Sequence, residues 1–390
     1  MREIDKNIIA IGWVSFFTDM ASAMITTLLP VFVVYVLNES VDKLGYIIAL
    51  ATFVSYLLRI LFGYLSDKYQ RVKPFLIFGY LLSALTKPLI GFSHSYESVA
   101  LLRALERVGK AVRSAPKDAL ISAYSKKNKE GKSFGFHKMM DVSGEMLGSV
   151  IIVFLFAYSS MQDELLIREV FVWTLLPGLL AVGVVVFFVK DISKKERVKK
   201  ETKLHINADD YKLFWILGSY FLFLLFFMSD QYFLLRAKEL GFSLAELPLL
   251  AIVATLTQAL LSYYSGTLID RFGAKVLLFV SYLFALLSLV FIQYGSVWLG
   301  FVGFGAFTVV SLNTMRSYIS KNAHSQGFVY GVFYAGVAFA TAIGAVVIGK
   351  LWTIFGFESV FLFSFYGSLG VSLLLLVTLL GEAFKTPDIK

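Results

Sequence analysis

The 390-residue chain has no cysteine, which excludes disulfides, thiolate metal sites and cysteine nucleophiles. Charge is also scarce. Asp, Glu, Lys and Arg make up 16% of the residues against 58% hydrophobic ones, and the mean hydropathy is +0.74. That is too little charge to coat a soluble domain of this size. No Walker motif is present, so the chain does not drive its work by hydrolysing ATP itself. No nucleophile–base pair or metal cluster has usable spacing, so an enzyme is not expected, and no cofactor is either. A membrane sensor would need a soluble output segment, and the loops are too short to hold one.

The chain consists mainly of apolar runs of about 20 residues, each long enough to cross about 30 Å of hydrocarbon. The spans read as Ile8–Val36, Leu44–Tyr64, Phe75–Phe92, Val99–Ala119, Phe134–Tyr158 and Val170–Val189, then Leu213–Leu235, Leu244–Gly266, Val276–Gln293, Trp298–Tyr318, Phe328–Leu351 and Ser359–Leu380. The first could pass for a signal peptide, but it is too long and has no small-residue cleavage site. It reads as a retained helix. The fourth carries Arg103, Glu106, Arg107, Lys110 and Arg113, and hydropathy alone misses it. Topology requires it, because the loops before the third and fifth helices are both basic and an even number of crossings must separate them.

Basic residues crowd the Lys68–Lys73, Lys117–Lys132 and Lys190–Lys212 segments, while the loops near Ser93–Glu97 and Gln293–Val297 have none. This asymmetry predicts a multi-pass protein of the cytoplasmic membrane with both termini in the cytoplasm. It also assigns the net charge of +9 to orientation and anionic lipid headgroups rather than to nucleic acid. The expected partners are the bilayer and a small-molecule substrate, and the expected state is a monomer.

The charged segment near the midpoint divides the chain into residues 1–190, a cytoplasmic linker at 191–210, and residues 211–390. The two halves echo one another. Gly63-Tyr-Leu-Ser-Asp67-Lys68 closes the second helix and Gly266-Thr-Leu-Ile-Asp270-Arg271 the eighth. Phe17-Thr18-Asp19 has a partner in Met228-Ser229-Asp230, and Gly144 and Gly148 in Ala340 and Gly344. The fold class expected is an all-α membrane protein with twelve transmembrane helices in two pseudo-symmetric six-helix bundles.

With these residues in view, the chain resembles the major facilitator superfamily from end to end. The loop signature G-x-L-x-D-[RK]-x-G-[RK]-[RK] is similar to Gly63, Leu65, Asp67, Lys68, Arg71 and to Gly266, Leu268, Asp270, Arg271, Gly273, with Gln70 and Ala274 as departures. A prokaryotic subgroup carries T-D-x-x-S-E-M in the first helix, similar to Thr18-Asp19-Met20-Ala21-Ser22-Ala23-Met24, with Ala23 in place of the glutamate. Its fourth-helix pattern R-x-G-K-G-x-R-x-A-P-R-D-A-L-I is similar to the run from Arg107 to Ile121. The antiporter pattern G-x-x-x-G-P-x-x-G-G is half met by Gly144 and Gly148, since Ser149 replaces the proline. The resemblance implies a secondary transporter working by alternating access.

Charges at the bilayer centre cost about 2.5–3.5 kcal/mol each on insertion scales, so they face a cavity or a partner. Helical periodicity puts Arg103, Glu106, Arg107 and Lys110 in one arc of the fourth helix, and His137, Asp141 and Glu145 on one face of the fifth. These residues are either buried ion pairs that hold helices together or the substrate and proton pathway. Asp19 and Asp230 are expected to line the cavity. Gly63, Asp67, Arg71, Gly266, Asp270 and Arg271 are expected to form a cytoplasmic latch. The glycines Gly300, Gly303 and Gly305 lie in an apolar helix and read as packing residues, not a nucleotide loop. Cavity carboxylates point to proton-driven export of a small amphiphile, while the arginines of the fourth helix keep uptake of an organic anion open.

Overall fold

The computed structural model describes residues 4–69, 71–126, 130–191, 210–323 and 326–384. All regular structure among them is helical. The first half contains α1 (Lys6–Val31, continued by a π turn at Phe32–Val36), α2 (Val41–Tyr69), α3 (Lys73–Leu89), α4 (Tyr96–Tyr124), α5 (Glu130–Tyr158), α6 (Asp163–Trp173) and α7 (Leu175–Phe188). The second contains α8 (Asp210–Phe226), α9 (Asp230–Glu239), α10 (Leu247–Phe272), α11 (Ala274–Gln293), α12 (Val297–Asn322), α13 (Gln326–Phe355) and α14 (Phe357–Phe384). The segments α6 and α7 form one crossing, as do α8 and α9, which gives the twelve transmembrane helices.

Ten of these crossings are long and apolar enough to span a membrane, and α10 is an eleventh although it bends by 49° between Ser262 and Tyr264. The twelfth is α4, whose charges take it below any hydropathy threshold. Its 29 residues reach about 43 Å at 1.5 Å per residue, more than the hydrocarbon thickness. Arg103, Glu106 and Arg113 are buried in the protein, while Leu101 and Leu105 are exposed on the outer face. The polar face is turned inward, as the cost of placing it in lipid requires.

The sixth crossing begins at Asp163, a full two turns before the expected Val170, because Leu166, Ile167, Val170 and Phe171 form a buried stripe inside a polar-looking run. The expected linker falls largely on residues 192–209, outside the described set. Two compact units form, one from Met1–Lys200 with Phe242–Leu249 and one from Glu201–Gly241 with Leu250–Lys390.

Each unit repeats the same packing. In the first, α1 packs on α5 and α7, and α3 on α4 and α7; in the second, α8 packs on α13 and α14, and α11 on α12 and α14. Small residues set the closest approaches. A Cβ at Gly144 would overlap the Phe16 carbonyl of α1, and one at Gly148 the Met20 carbonyl. In the second unit a Cβ at Gly344 would lie 2.5 Å from the Leu225 carbonyl of α8. Gly144→Ala should therefore force α1 from α5 and cost about 1–3 kcal/mol, as overpacking does. Gly135, which has nothing within 4 Å of its Cβ position, is the control: Gly135→Ala should leave the unfolding temperature unchanged and Gly144→Ala should lower it.

The same contact corrects the pairing of the two aspartates. If Gly148 matches Gly344, then Met20 matches Leu225, and the counterpart of Asp19 is Leu224. Asp230 lies further along, exposed at the start of α9 after the helix break at Phe227–Ser229. Its carboxylate sits at a helix N-terminus, where the backbone dipole favours it.

Candidate functional site

Within the first unit, α1, α3, α4 and α5 surround a cavity of about 190 Å³. Its α4 wall is formed by Lys110, Arg113, Ser114 and Lys117, at spacings i, i+3, i+4 and i+7 that share one helix face. The α5 wall presents Lys138, Asp141 and Glu145, again one face. From α1 come Ser15, Thr18 and Asp19, and from α3 Tyr80.

Local packing fixes this arrangement. Gly79 of α3 and Gly109 of α4 meet so closely that a Cβ on either would lie 2.6 Å from the other's carbonyl oxygen. That approach lets Arg113 donate from Nη1 to the Gly79 carbonyl at 3.1 Å and to Ser83 Oγ, with its guanidinium 4.5 Å above the Tyr80 ring. These three contacts hold the arginine against α3. On α5, His137 is buried behind the cavity wall. Its Nε2 lies 2.7 Å from Ser15 Oγ and its Nδ1 3.5 Å from Asp141 Oδ1. The imidazole thus links α1 to the carboxylate without lining the cavity itself.

A second charged layer sits away from the cavity. Glu106 accepts from Arg103 Nη1 at 2.8 Å, and Arg107 Nε lies 3.5 Å from the same oxygen. Arg103 and Glu106 are each 1% exposed. Lys87 of α3 is equally buried and donates to the Thr18 carbonyl at 3.1 Å and Ser22 Oγ at 2.9 Å, bracing α1 beside Asp19.

The residues expected from sequence therefore divide. Asp19, Lys110, Asp141 and Glu145 are brought together in the cavity. Arg103, Glu106 and Arg107 form an ion-pair cluster instead, and His137 stands behind Asp141. Asp230 belongs to the other unit. Sequence reasoning passed over Lys87, Tyr80, Arg113, Lys117 and Lys138 as site residues. Three of these had a usable signal: Arg113 and Lys117 extend the Lys110 face, and Lys138 is three residues before Asp141. Lys87, an intramembrane lysine, carried the general signal of an ionisable group in hydrocarbon.

Of the expected latch, Gly63 lies against α4, where its Cβ position is 3.3 Å from the Ala115 side chain. The Asp67 side chain lies outside the described residues. Arg71 and Lys73 border a surface groove at the start of α3 together with Asp191, which accepts from the Val72 and Lys73 amides at 3.0 and 3.3 Å. Gly266 faces open space. Asp270 accepts from Lys321 Nζ at 2.7 Å, joining α10 to α12, and Arg271 lies over Phe272. In the first unit α2 and α4 are joined similarly by Arg59 and Asp118 at 3.2 Å. Both pairs are well exposed, so each contributes at most about 1 kcal/mol to stability.

The family model described as Major Facilitator Superfamily matches residues 11–236 and 232–389. The chain is 31% identical over 370 residues to an uncharacterized MFS-type transporter of Methanocaldococcus jannaschii, covering 90% of each. Among solved structures, the nucleoside transporter NupG superposes with a TM-score of 0.78 at 13% identity, covering 95% of this chain and 98% of that one. A POT family transporter in complex with a thioalcohol-conjugated peptide superposes with a TM-score of 0.79 at 12% identity, covering 99% of both. These structures share the fold. From its twelve helices in two repeated units and these matches, the chain belongs to the Major Facilitator Superfamily and is a secondary transporter, not an enzyme.

Proposed function

We propose that this transporter exports a small molecule in exchange for protons, by alternating access, with the cavity of the first unit as the coupling site. The observation that carries this reading is the grouping of Asp19, Asp141 and Glu145 on one side of a cavity inside the membrane-spanning bundle. A carboxylate there can hold a proton or the cationic group of a substrate, and neutralising it twice gains little. That mutual exclusion is what couples proton entry to substrate exit. No cofactor is required, since the ion gradient supplies the energy. The exposed pair Asp270–Lys321 and Asp67 at the end of α2 act as a latch on the cytoplasmic side, and the working unit is the monomer in the cytoplasmic membrane.

A second reading draws on the opposite wall. Lys110, Arg113 and Lys117 place three cations along one face of α4, which favours an organic anion taken up together with protons. Proteoliposomes with a trapped pH-sensitive dye separate the two. Under export by exchange, substrate added on one side drives protons toward that side. Movement of both in the same direction would replace export with uptake.

The orientation has its own test. A reporter fused after Ser160 should be found outside and one after Lys195 inside. A cytoplasmic signal from the first would contradict the assigned topology, and with it the direction of transport.

A further inference from the structure

The cavity of the first unit holds both signs of charge. The charged groups of its α4 wall, Lys110, Arg113 and Lys117, are all cations, and the facing wall, built by the tightly packed α1 and α5, carries Asp19, Asp141 and Glu145 together with Lys138. The two walls are not joined by ion pairs. Among the described residues, Lys110, Lys117 and Lys138 have no hydrogen-bonded or ionic partner, and neither do Asp19 and Glu145. Lys110, Lys138 and Glu145 are exposed and Asp19 and Lys117 half-buried, so these ions face accessible space and stay open to a guest. The neighbouring layer does close up, with Arg103 on Glu106 at 2.8 Å. In the cavity the gap stays open.

A purely anionic guest would satisfy the α4 lysines and leave the carboxylates facing another negative charge. A purely cationic guest would do the reverse. An apolar amphiphile finds little to rest on, since the aromatic ring of the lining, Tyr80, is already covered by Arg113. The volume of about 190 Å³ lies below the range of about 300–1,000 Å³ typical of drug-sized pockets.

We propose that the cavity binds a small dipolar solute of amino-acid size, its carboxylate against Lys110 and Lys117 and its ammonium group between Asp19 and Glu145. Lys138 sits three residues from Asp141 on the same face, so the acidic wall is least cationic toward Glu145, and the ammonium group is directed there. Each end of the guest replaces a missing ion pair. The proposal names the substrate class for the exchange reading above and rests on it only for the transport step, since binding needs no gradient.

The test is thermal unfolding of the purified, detergent-solubilised protein with the standard L-amino acids of uncharged side chain at millimolar concentration and fixed ionic strength. Each is compared with its N-acetyl derivative, which is only an anion, and its amide, which is only a cation. At least one parent amino acid should raise the unfolding temperature, and its two derivatives should not. Lys117→Gln and Asp19→Asn should each weaken that binding by about 30-fold or more, as loss of one partner of a desolvated charge pair does. Lys117→Arg, which keeps the charge, should retain binding and shows that a loss in Lys117→Gln is not misfolding. Stabilisation by a singly charged derivative equal to that by its parent would overturn the proposal, as would no stabilisation by any amino acid. Binding as expected without proton movement in proteoliposomes would leave the substrate class standing and remove the exchange reading.

Discussion

Asp141→Asn should abolish accumulation of substrate against its gradient while leaving exchange of substrate across the membrane in place. The carboxylate lines the cavity on α5 and is backed by His137, which in turn meets Ser15 of α1. An amide keeps the shape and much of the hydrogen bonding but cannot carry a proton. The coupling step is therefore removed and the alternating motion is not. Glu145→Gln, one turn along the same face, should also uncouple, with a further loss of affinity. The second unit offers no replacement, because Val337 and Thr341 stand at the corresponding places of α13 and the Thr341 hydroxyl is turned back to the Val337 carbonyl at 2.7 Å. The measurement is radiolabelled substrate in proteoliposomes, with and without an imposed proton gradient. Uphill accumulation by Asp141→Asn at the wild-type level would show that the proton travels elsewhere.

Glu106→Gln should act on the fold rather than on coupling, and its effect should be large. The carboxylate is 1% exposed and neutralises two guanidinium groups, Arg103 and Arg107. Removing one partner of a buried pair leaves uncompensated charge and costs about 3–5 kcal/mol. The unfolding temperature in detergent should fall, and the yield of inserted protein with it. Combining Glu106→Gln with Arg103→Gln should recover much of the loss, because the second change removes the stranded cation. A Glu106→Gln protein with normal stability and no transport would instead move Glu106 into the working cycle.

Much of this was legible in the sequence for physical reasons that can be named. The length and apolarity of the runs dictated the crossings. The charge asymmetry of the loops required α4 to span although its composition argues against it. The spacing of Asp141 and Glu145 placed both on one face before any contact was known. What the sequence could not reveal was which charges would meet. Arg103, Glu106, Arg107 and Lys110 share one arc of α4, yet the first three close into a cluster and Lys110 turns to open space. That division depends on how closely α3 approaches, which Gly79 and Gly109 control from opposite helices. Lys87 likewise finds its partners on α1, 65 and 69 residues away along the chain. Similar tripeptides also misled the pairing of Asp19 with Asp230, since spatial register follows the glycine contacts between helices and not the local likeness.

The coupling role of the acidic wall is tested most directly by counting protons released when the purified protein binds a solute that raises its unfolding temperature. In weakly buffered detergent solution, the wild-type protein should release protons on binding, because the carboxylates exchange a proton for the cationic group of the guest. The Asp141→Asn, Glu145→Gln double variant, examined at solute concentrations that restore occupancy, should release markedly fewer, Asp19 being the one carboxylate left in the wall. Undiminished release from the double variant would contradict the assignment of proton coupling to this cavity.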